Sequence, residues 1–491
     1  MPPEDQKIGL AYWMKEVLAE CDKVAKDFSP DPVHDLRTAL RRCRSMADGL
    51  MTFDPDPAWK QMKKAGRQLF RSLGDLRDIH VLGDWVTQFA PADDLPGKIL
   101  NDYVSEQEQV FRSNSAAALN YFDQKQWSRW ADELPARAAH LVPGSSMFAH
   151  LALEKWTAAR DLHRTAMRSR ASTAYHQLRI GLKRFRYIVE NFLPELYEQW
   201  GKDLKYVQDA LGEVHDFDVL WETGTEIEAF PDPQTRARWR ERLNQERKKR
   251  IDSYREKMTG PQSLWQVWRA ALPEEHEVRG IALERMQTWA SFLDPDGAHS
   301  RHVSNLALEL YDGLAQAGVI RKSRNGEARQ ILEAAALMHD VGRSKSKNGH
   351  HKVSAKFIRK LSPPLGWTAG ELRLVSLIAR YHRGALPRDT HREFASISKT
   401  RKKRALLLGG ILRLACACDR EHDQQIRSLQ VQAPNGLVEI RAQGLSELSP
   451  IAQHLASARY LLEVACQRPV FVVPTEVEAQ LTAIKQAIGA A

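Results

Sequence analysis

Six residues in the C-terminal half of the chain are of types that hold metal ions: His302, the adjacent pair His339-Asp340, His350, His382 and Asp419. Neutral imidazoles and carboxylates suit Mn, Fe, Mg or Zn. An adjacent His and Asp at a helix end can both reach one ion. Such an ion would lower the pKa of a bound water and neutralise charge on a phosphate.

The N-terminal half offers a different chemistry. His34, Arg37, Arg41 and Arg44 are spaced i, i+3, i+7, i+10. At about 100° per residue they fall within an arc of roughly 80° on one helix face. His176, Arg179, Lys183 and Arg186 repeat that arc. A following helix adds Lys60, Lys64, Arg67 and Arg71, and its counterpart adds Lys202 and Lys205. Cationic stripes of this kind repel one another unless an anion lies between them. A chain of phosphates suits that place, because its oxygens accept charge-assisted hydrogen bonds and its counterions are released to bulk. A single stripe reads more readily as a solvated helix face; the same order in two places reverses that and favours anion binding.

The elements that position these residues begin with an internal repeat. VHDLRTALRRCRSMADGL from Val33 aligns with YHQLRIGLKRFRYIVENF from Tyr175. LGDLRDIHVL at 73–82 aligns with LGEVHDFDVL at 211–220. Leu36, Leu40, Cys43 and Leu50 share one face at helical periodicity, as do Leu178, Leu182, Phe185, Val189 and Phe192. Tandem helical bundles are expected, with repeat halves at about 5–140 and 150–265. Gly260-Pro261 and LPEEHEVRG loosen the pattern, which places a linker at 266–280. A helical domain is expected over 281–425. SLQVQAP, Asn435-Gly436 and LVEIRAQ then read as two strands around a turn. A helix at about 449–467 and the strand PVFVVP complete a small α+β unit at 426–475.

Bulk properties set bounds. The 491 residues carry a formal charge of +10, unevenly spread: residues 1–250 hold 38 Lys+Arg against 38 Asp+Glu, and residues 251–491 hold 34 against 24. An anion site in the first half therefore depends on clustering, not on net charge. Five cysteines with no CxxC spacing argue for a reducing compartment and against a cysteine zinc site. MPPEDQKIGL does not read as a signal peptide. The most apolar run, at 405–418, is too short to span a bilayer and contains Arg413. A cytoplasmic, membrane-free protein is expected. Nucleic acid is disfavoured as a partner, since no aromatic residues interleave the basic ones to stack on bases.

The repeated H-x-x-R-x-x-x-[RK]-R-x-R motif and the later L-G-x-x-[RH]-D-x-[HD]-V-L resemble the CHAD family, the conserved-histidine α-helical domain, over about 5–265. That resemblance implies two four-helix bundles around a basic channel that binds inorganic polyphosphate. His34, Arg37, Arg41, Arg44, Lys64 and Arg67 match one half's basic positions. His176, Arg179, Lys183, Arg186, Lys202 and Lys205 match the other's. His80 opposite Asp218, and Arg71 opposite Asp209, depart from the repeat.

The order H…HD…H…H…D resembles the HD superfamily of metal-dependent phosphohydrolases. HSRHVSNLALELYDGL, LMHDVGRSKSKNGHHKVSAKFI, IARYHRGALP and LRLACACDREHD resemble the C-terminal domain of the exopolyphosphatase/guanosine pentaphosphate phosphohydrolase family, over about 285–475. This implies His302, His339, Asp340 and Asp419 as metal ligands. Asp340, His350 and His382 would be catalytic, the two histidines holding a second ion or acting as acid. That family's N-terminal actin-like domains, with their glycine-rich phosphate loops, are absent from this sequence.

The combined expectation is a mainly α protein: two tandem four-helix bundles, then an all-helical HD domain with a small α+β unit. Its partners would be polyphosphate and guanosine or other phosphorylated nucleotides, its cofactor a divalent metal. One reading is a phosphohydrolase. The other is a polyphosphate-binding adaptor, associated with granules, whose HD fold is vestigial. KTRKKR at 399–404, with Lys345, Lys347, Lys352 and Arg383, would surround the metal site or form a solvated loop.

Overall fold

The computed structural model describes residues 9–91, 93–169, 171–323, 325–446 and 451–475. The chain divides into two compact units, Met1–Glu275 and His276–Ala491.

The first unit is built twice from the same element order. Its first half has α1 (Leu10–Lys26), α2 (Pro30–Leu50), α3 (Pro57–Ala65), α4 (Arg67–Phe89), α5 (Leu95–Asn120) and α6 (Gln124–Ala138). Its second has α7 (Ser146–Ser169), α8 (Ser172–Phe192), α9 (Pro194–Glu226), α10 (Pro233–Met258) and α11 (Leu264–Ala270). In each half, four long helices pack together and a shorter one closes the bundle. Helices α5 and α10 start at equivalent repeat positions, each with an aspartate cap followed by proline near the first turn. Asp94 accepts from Gly97 N and Asp232 from Gln234 N and Thr235 N, satisfying first-turn donors that the helix itself leaves free. The halves differ where α3 and α4 are parted at Gly66, whereas α9 runs unbroken through the equivalent Leu204. Helices α2, α4, α8 and α9 pack as a central group, with α2 against α8 and α4 against α9.

The second unit contains α12 (Glu275–Ser291), α13 (Gly297–Gln316), α14 (Glu327–Met338), a 3-10 turn (Val341–Ser344), α15 (His350–Ile358), α16 (Ala369–Tyr381), α17 (Arg392–Ala395) and α18 (Lys399–Cys418). Strands β1 (Ser428–Gln432) and β2 (Val438–Gln443) are antiparallel. Helices α19 (Ile451–Ala458) and α20 (Tyr460–Cys466) lead to β3 (Val470–Pro474), which lies parallel to β2. The hairpin turn forms at Asn435-Gly436, where both residues adopt positive φ.

Two expectations about boundaries change. Residues 266–280 are largely helical, shared between α11 and α12, so the connection between the units is short. The α+β segment is not a separate body: Leu429, Ile440 and Val470 belong to one hydrophobic core with Leu306, Leu377 and Leu412. A three-stranded sheet cannot bury its apolar face by itself, and the helices supply the cover. Close packing fixes that union. A Cβ on Gly410 of α18 would lie 2.9 Å from the Leu462 backbone of α20.

Candidate functional sites

The basic residues of the first unit gather on the central helices. Arg37, Arg41 and Arg44 on α2 are half-buried, as are His176, Arg179, Lys183 and Arg186 on α8. His34, Lys64, Arg67, Lys202 and Lys205 are exposed. The two stripes feel each other. Burial, then Arg179, Arg41 and Arg37, push the Lys183 ammonium down to about 8. Burial and then Arg77, Arg41 and Arg37 lower His34. Four cationic side chains from two helices thus share one field.

Few partners neutralise them. Arg44 Nη1 donates to Lys63 O at 2.8 Å, and Arg37 reaches Asp78 only at 3.5 Å. Phe70 supports both guanidiniums, at 5.5 Å from Arg37 and 5.0 Å from Arg44. The Nε atoms of Arg41, Arg179 and Arg186 are buried with no hydrogen-bond partner among the described residues. Buried, unsatisfied donors are costly, and an anion's oxygens would satisfy them. One internal counter-charge is Glu190, whose Oε1 accepts from Arg42 at 2.5 Å, Arg186 at 3.5 Å and Tyr197 at 2.7 Å.

The repeat contains further members of this group. Arg77 and His215 occupy the [RH] position of the second repeated segment, and each acts on the stripe: Arg77 lowers His34, while burial and then Arg179 bring His215 to about 4. The aligned segment was the signal for them. One departure from the repeat, His80 opposite Asp218, is tied into local ion pairs. His80 is buried against Glu108, and Asp218 pairs with Arg247.

In the second unit, helix ends aim side chains at one point. His339 and His382 cap α14 and α16, and His350 begins α15. Each Nδ1 contacts a carbonyl three residues earlier: Ala336 at 2.6 Å, Ala379 at 2.7 Å and Lys347 at 3.0 Å. A carbonyl only accepts, so Nδ1 carries the proton and Nε2 faces inward. The inward atoms surround Asp340 Oδ1, with His350 Nε2 at 3.1 Å, His339 Nε2 at 3.7 Å and His382 Nε2 at 3.9 Å. His350 and His382 Nε2 are 3.3 Å apart. Gly342 lets this form, since a Cβ there would lie 2.3 Å from the His350 carbonyl.

Two residues expected as ligands are engaged by protein partners. His302 Nε2 bonds the Ile426 carbonyl at 2.8 Å, so that histidine fastens α13 to the segment before β1. His299, one turn earlier, is the inward residue, positioned by the cap from Asp296 to its backbone N–H. Asp419 has both oxygens engaged, Oδ2 with His299 Nδ1 at 2.7 Å and Oδ1 with Gln424 N at 2.8 Å. It orients a histidine. Cys416, one turn before it, had no place in the expected set, yet its sulfur lies among the inward atoms. The ligand atoms of His299, His339 and Cys416 fall within 4.8 Å of one another, as do those of His339, Asp340 and His382.

The electrostatics suit a cation. Burial alone would lower His299 and His339, but Asp419 beside the first and Asp340 beside the second raise them to about 10 and about 9. Burial would raise the Cys416 thiol, yet those two imidazoles bring it down to about 6. His382 falls well below its ordinary value through burial and then His339, while Asp340, 3.1 Å from its Nε2, raises His350. His339 Nε2 and Asp340 Oδ1 are buried without a hydrogen-bond partner among the described residues. Orphaned inward donors and acceptors of this chemistry fit a divalent ion.

A cavity of about 90 Å³ opens onto the cluster, lined also by Arg343, Arg383, Arg413, Arg420 and, from α19, His454 and Ser457. Pockets for drug-sized ligands run to roughly 300–1,000 Å³. This one has room for an ion and a phosphoryl group. Of the other basic residues expected around it, Lys345, Lys347 and Lys352 are exposed, Lys402 pairs with Asp389, and Arg404 with Glu327.

Comparison with known proteins accords with this division. Residues 10–225 match the CHAD domain family, and residues 278–455 match Ppx/GppA phosphatase, domain III. Both matches point to a polyphosphate-related function. The chain is 33% identical over 108 residues to the bifunctional uridylyltransferase/uridylyl-removing enzyme of Ruegeria pomeroyi, covering 20% of this chain and 12% of the relative. It is 29% identical over 105 residues to the enzyme of that name from Nitrobacter winogradskyi, covering 20% and 11%. It thus spans about a tenth of the length of these curated relatives. Among solved structures, the CHAD domain from the plant Ricinus communis aligns at 21% identity with a TM-score of 0.36, covering 54% of this chain and 90% of that one. No helix among the described residues is long and apolar enough to cross a membrane.

Proposed function

Because the chain carries a CHAD domain followed by a Ppx/GppA phosphatase domain III, we propose that it captures polyphosphate on its first unit and hydrolyses a phosphoanhydride, in polyphosphate or a related nucleotide, at an HD-type centre in its second. The observation that carries this reading is the buried His–Asp cluster with orphaned inward atoms beside an arginine-lined cavity. The curated relatives are likewise named for transfer and removal of a uridylyl group.

Each residue's role follows from its placement. A divalent ion bound at the cluster would lower the pKa of a water and offset phosphate charge. Asp340 draws His339, His350 and His382 around one oxygen. The paired Nε2 atoms of His350 and His382 stand where a proton can be taken from an attacking water or given to a leaving oxygen. Arg383 and Arg420 face the cavity, where their charge favours a terminal phosphoryl group. Arg343 is held by Asp340 at 3.0 Å, and Arg413 by the Tyr381 and Gly384 carbonyls. The small cavity favours the end of a phosphate chain over a nucleoside.

The test is phosphate release from long-chain polyphosphate and from guanosine pentaphosphate by full-length protein supplied with Mn²⁺. Release that stops with chelator and is lost in Asp340→Ala supports hydrolysis. Metal-loaded protein that binds polyphosphate and releases nothing from either substrate supports the granule-associated adaptor.

A further inference from the structure

Resting on the metal-centre reading above, we propose that Cys416 is a metal ligand, completing with His299 and His339 a thiolate-containing site that selects zinc, ferrous iron or cobalt over magnesium.

Three inward atoms converge. His299 has its Nδ1 held by Asp419, which leaves Nε2 for an ion. His339 has its Nδ1 held by the Ala336 carbonyl, and its Nε2 is buried with no hydrogen-bond partner among the described residues. One ring nitrogen of each histidine and the Cys416 sulfur lie within 4.8 Å of one another. An ion with Zn–N of about 2.0–2.1 Å and Zn–S of about 2.3 Å needs tetrahedral ligand atoms roughly 3.5 Å apart. Contraction by about 1 Å closes the set. A buried imidazole with an unpaired inward nitrogen distinguishes this thiol from an ordinary core cysteine. Cys418, two residues on, belongs to no such group among the described residues.

The alternatives for this position are engaged. Both Asp419 oxygens are bonded, and His302 is held by Ile426. Asp419 then acts as the outer carboxylate of a carboxylate–histidine–metal relay, fixing the tautomer of His299. Asp340, whose ligand atom lies within 4.8 Å of that of His339, stands beside this set and can share the ion. A thiolate is a soft donor, so it favours Zn, Fe or Co and disfavours Mg, which wants oxygen.

The experiment is cobalt substitution of the full-length protein. Metal-free protein given one equivalent of Co²⁺ should show a sulfur-to-cobalt charge-transfer band in the near ultraviolet. Cys416→Ser should lose the band and bind zinc at least ~100-fold more weakly, beyond the ~10–100-fold typical of disturbing an outer partner. Cys416→Asp should bind metal without the band and shift preference toward Mn and Mg. Cys466→Ser should keep the band. Stoichiometric Co²⁺ binding by the natural chain with no such band overturns the thiolate and leaves the metal centre standing. No Co²⁺ binding at all overturns both. A band without phosphate release keeps this ligand and removes the hydrolase.

Discussion

The two units meet phosphate chemistry in opposite ways. The basic face of the first is redundant: half-buried guanidiniums on α2 and α8 have few fixed partners, and several Nε atoms await acceptors. The centre of the second is singular. Each inward imidazole has its outer nitrogen bonded, and the inner atoms crowd a single carboxylate oxygen. A polymer of repeating charge can be held by many interchangeable contacts, each worth a little. A metal ion requires every ligand in place. The first unit should therefore answer mutation in graded steps and the second all at once.

The largest effect tests the singular centre. Asp340→Ala removes the oxygen about which three histidines are arranged. Equilibrium dialysis with zinc should show at least ~100-fold weaker uptake, since even outer-shell changes cost roughly 10–100-fold. Polyphosphate capture should stay within twofold. A variant that keeps its metal would place the ion away from Asp340.

The graded side is tested next. Arg37→Ala with Arg179→Ala removes one guanidinium from each stripe. Polyphosphate affinity at low salt should fall roughly tenfold or more. The slope of log affinity against log salt should flatten by about 1.4, taking about 0.7 per phosphate contact as for single-stranded nucleic acid. Either single variant should give a smaller loss. If one single variant matches the double, the face is not redundant.

A pH experiment follows from Lys183. Its folded pKa of about 8 is below the ordinary 10.5, because burial and then Arg179, Arg41 and Arg37 disfavour the cation. Bound phosphate favours the cation. Below pH 8 the free protein already carries the proton, and affinity should not change on this account. Above pH 8 the proton must be regained on binding, so affinity should fall, up to about tenfold at pH 9. Lys183→Arg should abolish that fall. Titration calorimetry in buffers of different ionisation enthalpy would show the proton uptake directly.

Much of this was legible in the sequence, and the misreadings share a cause. The repeat, the helical faces and the hairpin at Asn435-Gly436 follow from periodicity and turn chemistry. His302 is fastened to Ile426 while His299, three residues earlier, turns inward, and the proposed ligand Cys416 lies three residues before Asp419. Positions three apart on a helix share a face and differ by about 4.5 Å in height, so spacing cannot say which reaches the centre. The structure decides through contacts that no local pattern carries, Ile426 with His302 and Gln424 with Asp419. The α+β segment read as separate for a related reason. Its composition changes at 426, but its apolar residues are claimed by helices more than a hundred positions earlier, such as α13.

The smallest expected effect is the most instructive about the basic face. Glu190 has a side chain only 3% exposed and is a carboxylate among cations, held by Arg42, Arg186 and Tyr197. Removing one partner of a buried pair costs about 3–5 kcal/mol. Glu190→Gln keeps the shape and one acceptor, and the arginines retain some water, so a loss of about 1–2 kcal/mol in denaturant unfolding is expected. Binding should move the other way. The carboxylate competes with phosphate for Arg42 and Arg186, and its neutralisation should tighten polyphosphate a few-fold at low salt, the gain fading as salt screens it. A glutamate that weakens the ligand while holding the fold would mark the empty face as stabilised against its own repulsion. If Glu190→Gln instead weakens polyphosphate, Glu190 serves to aim Arg186, and the first unit shares the preorganisation of the second.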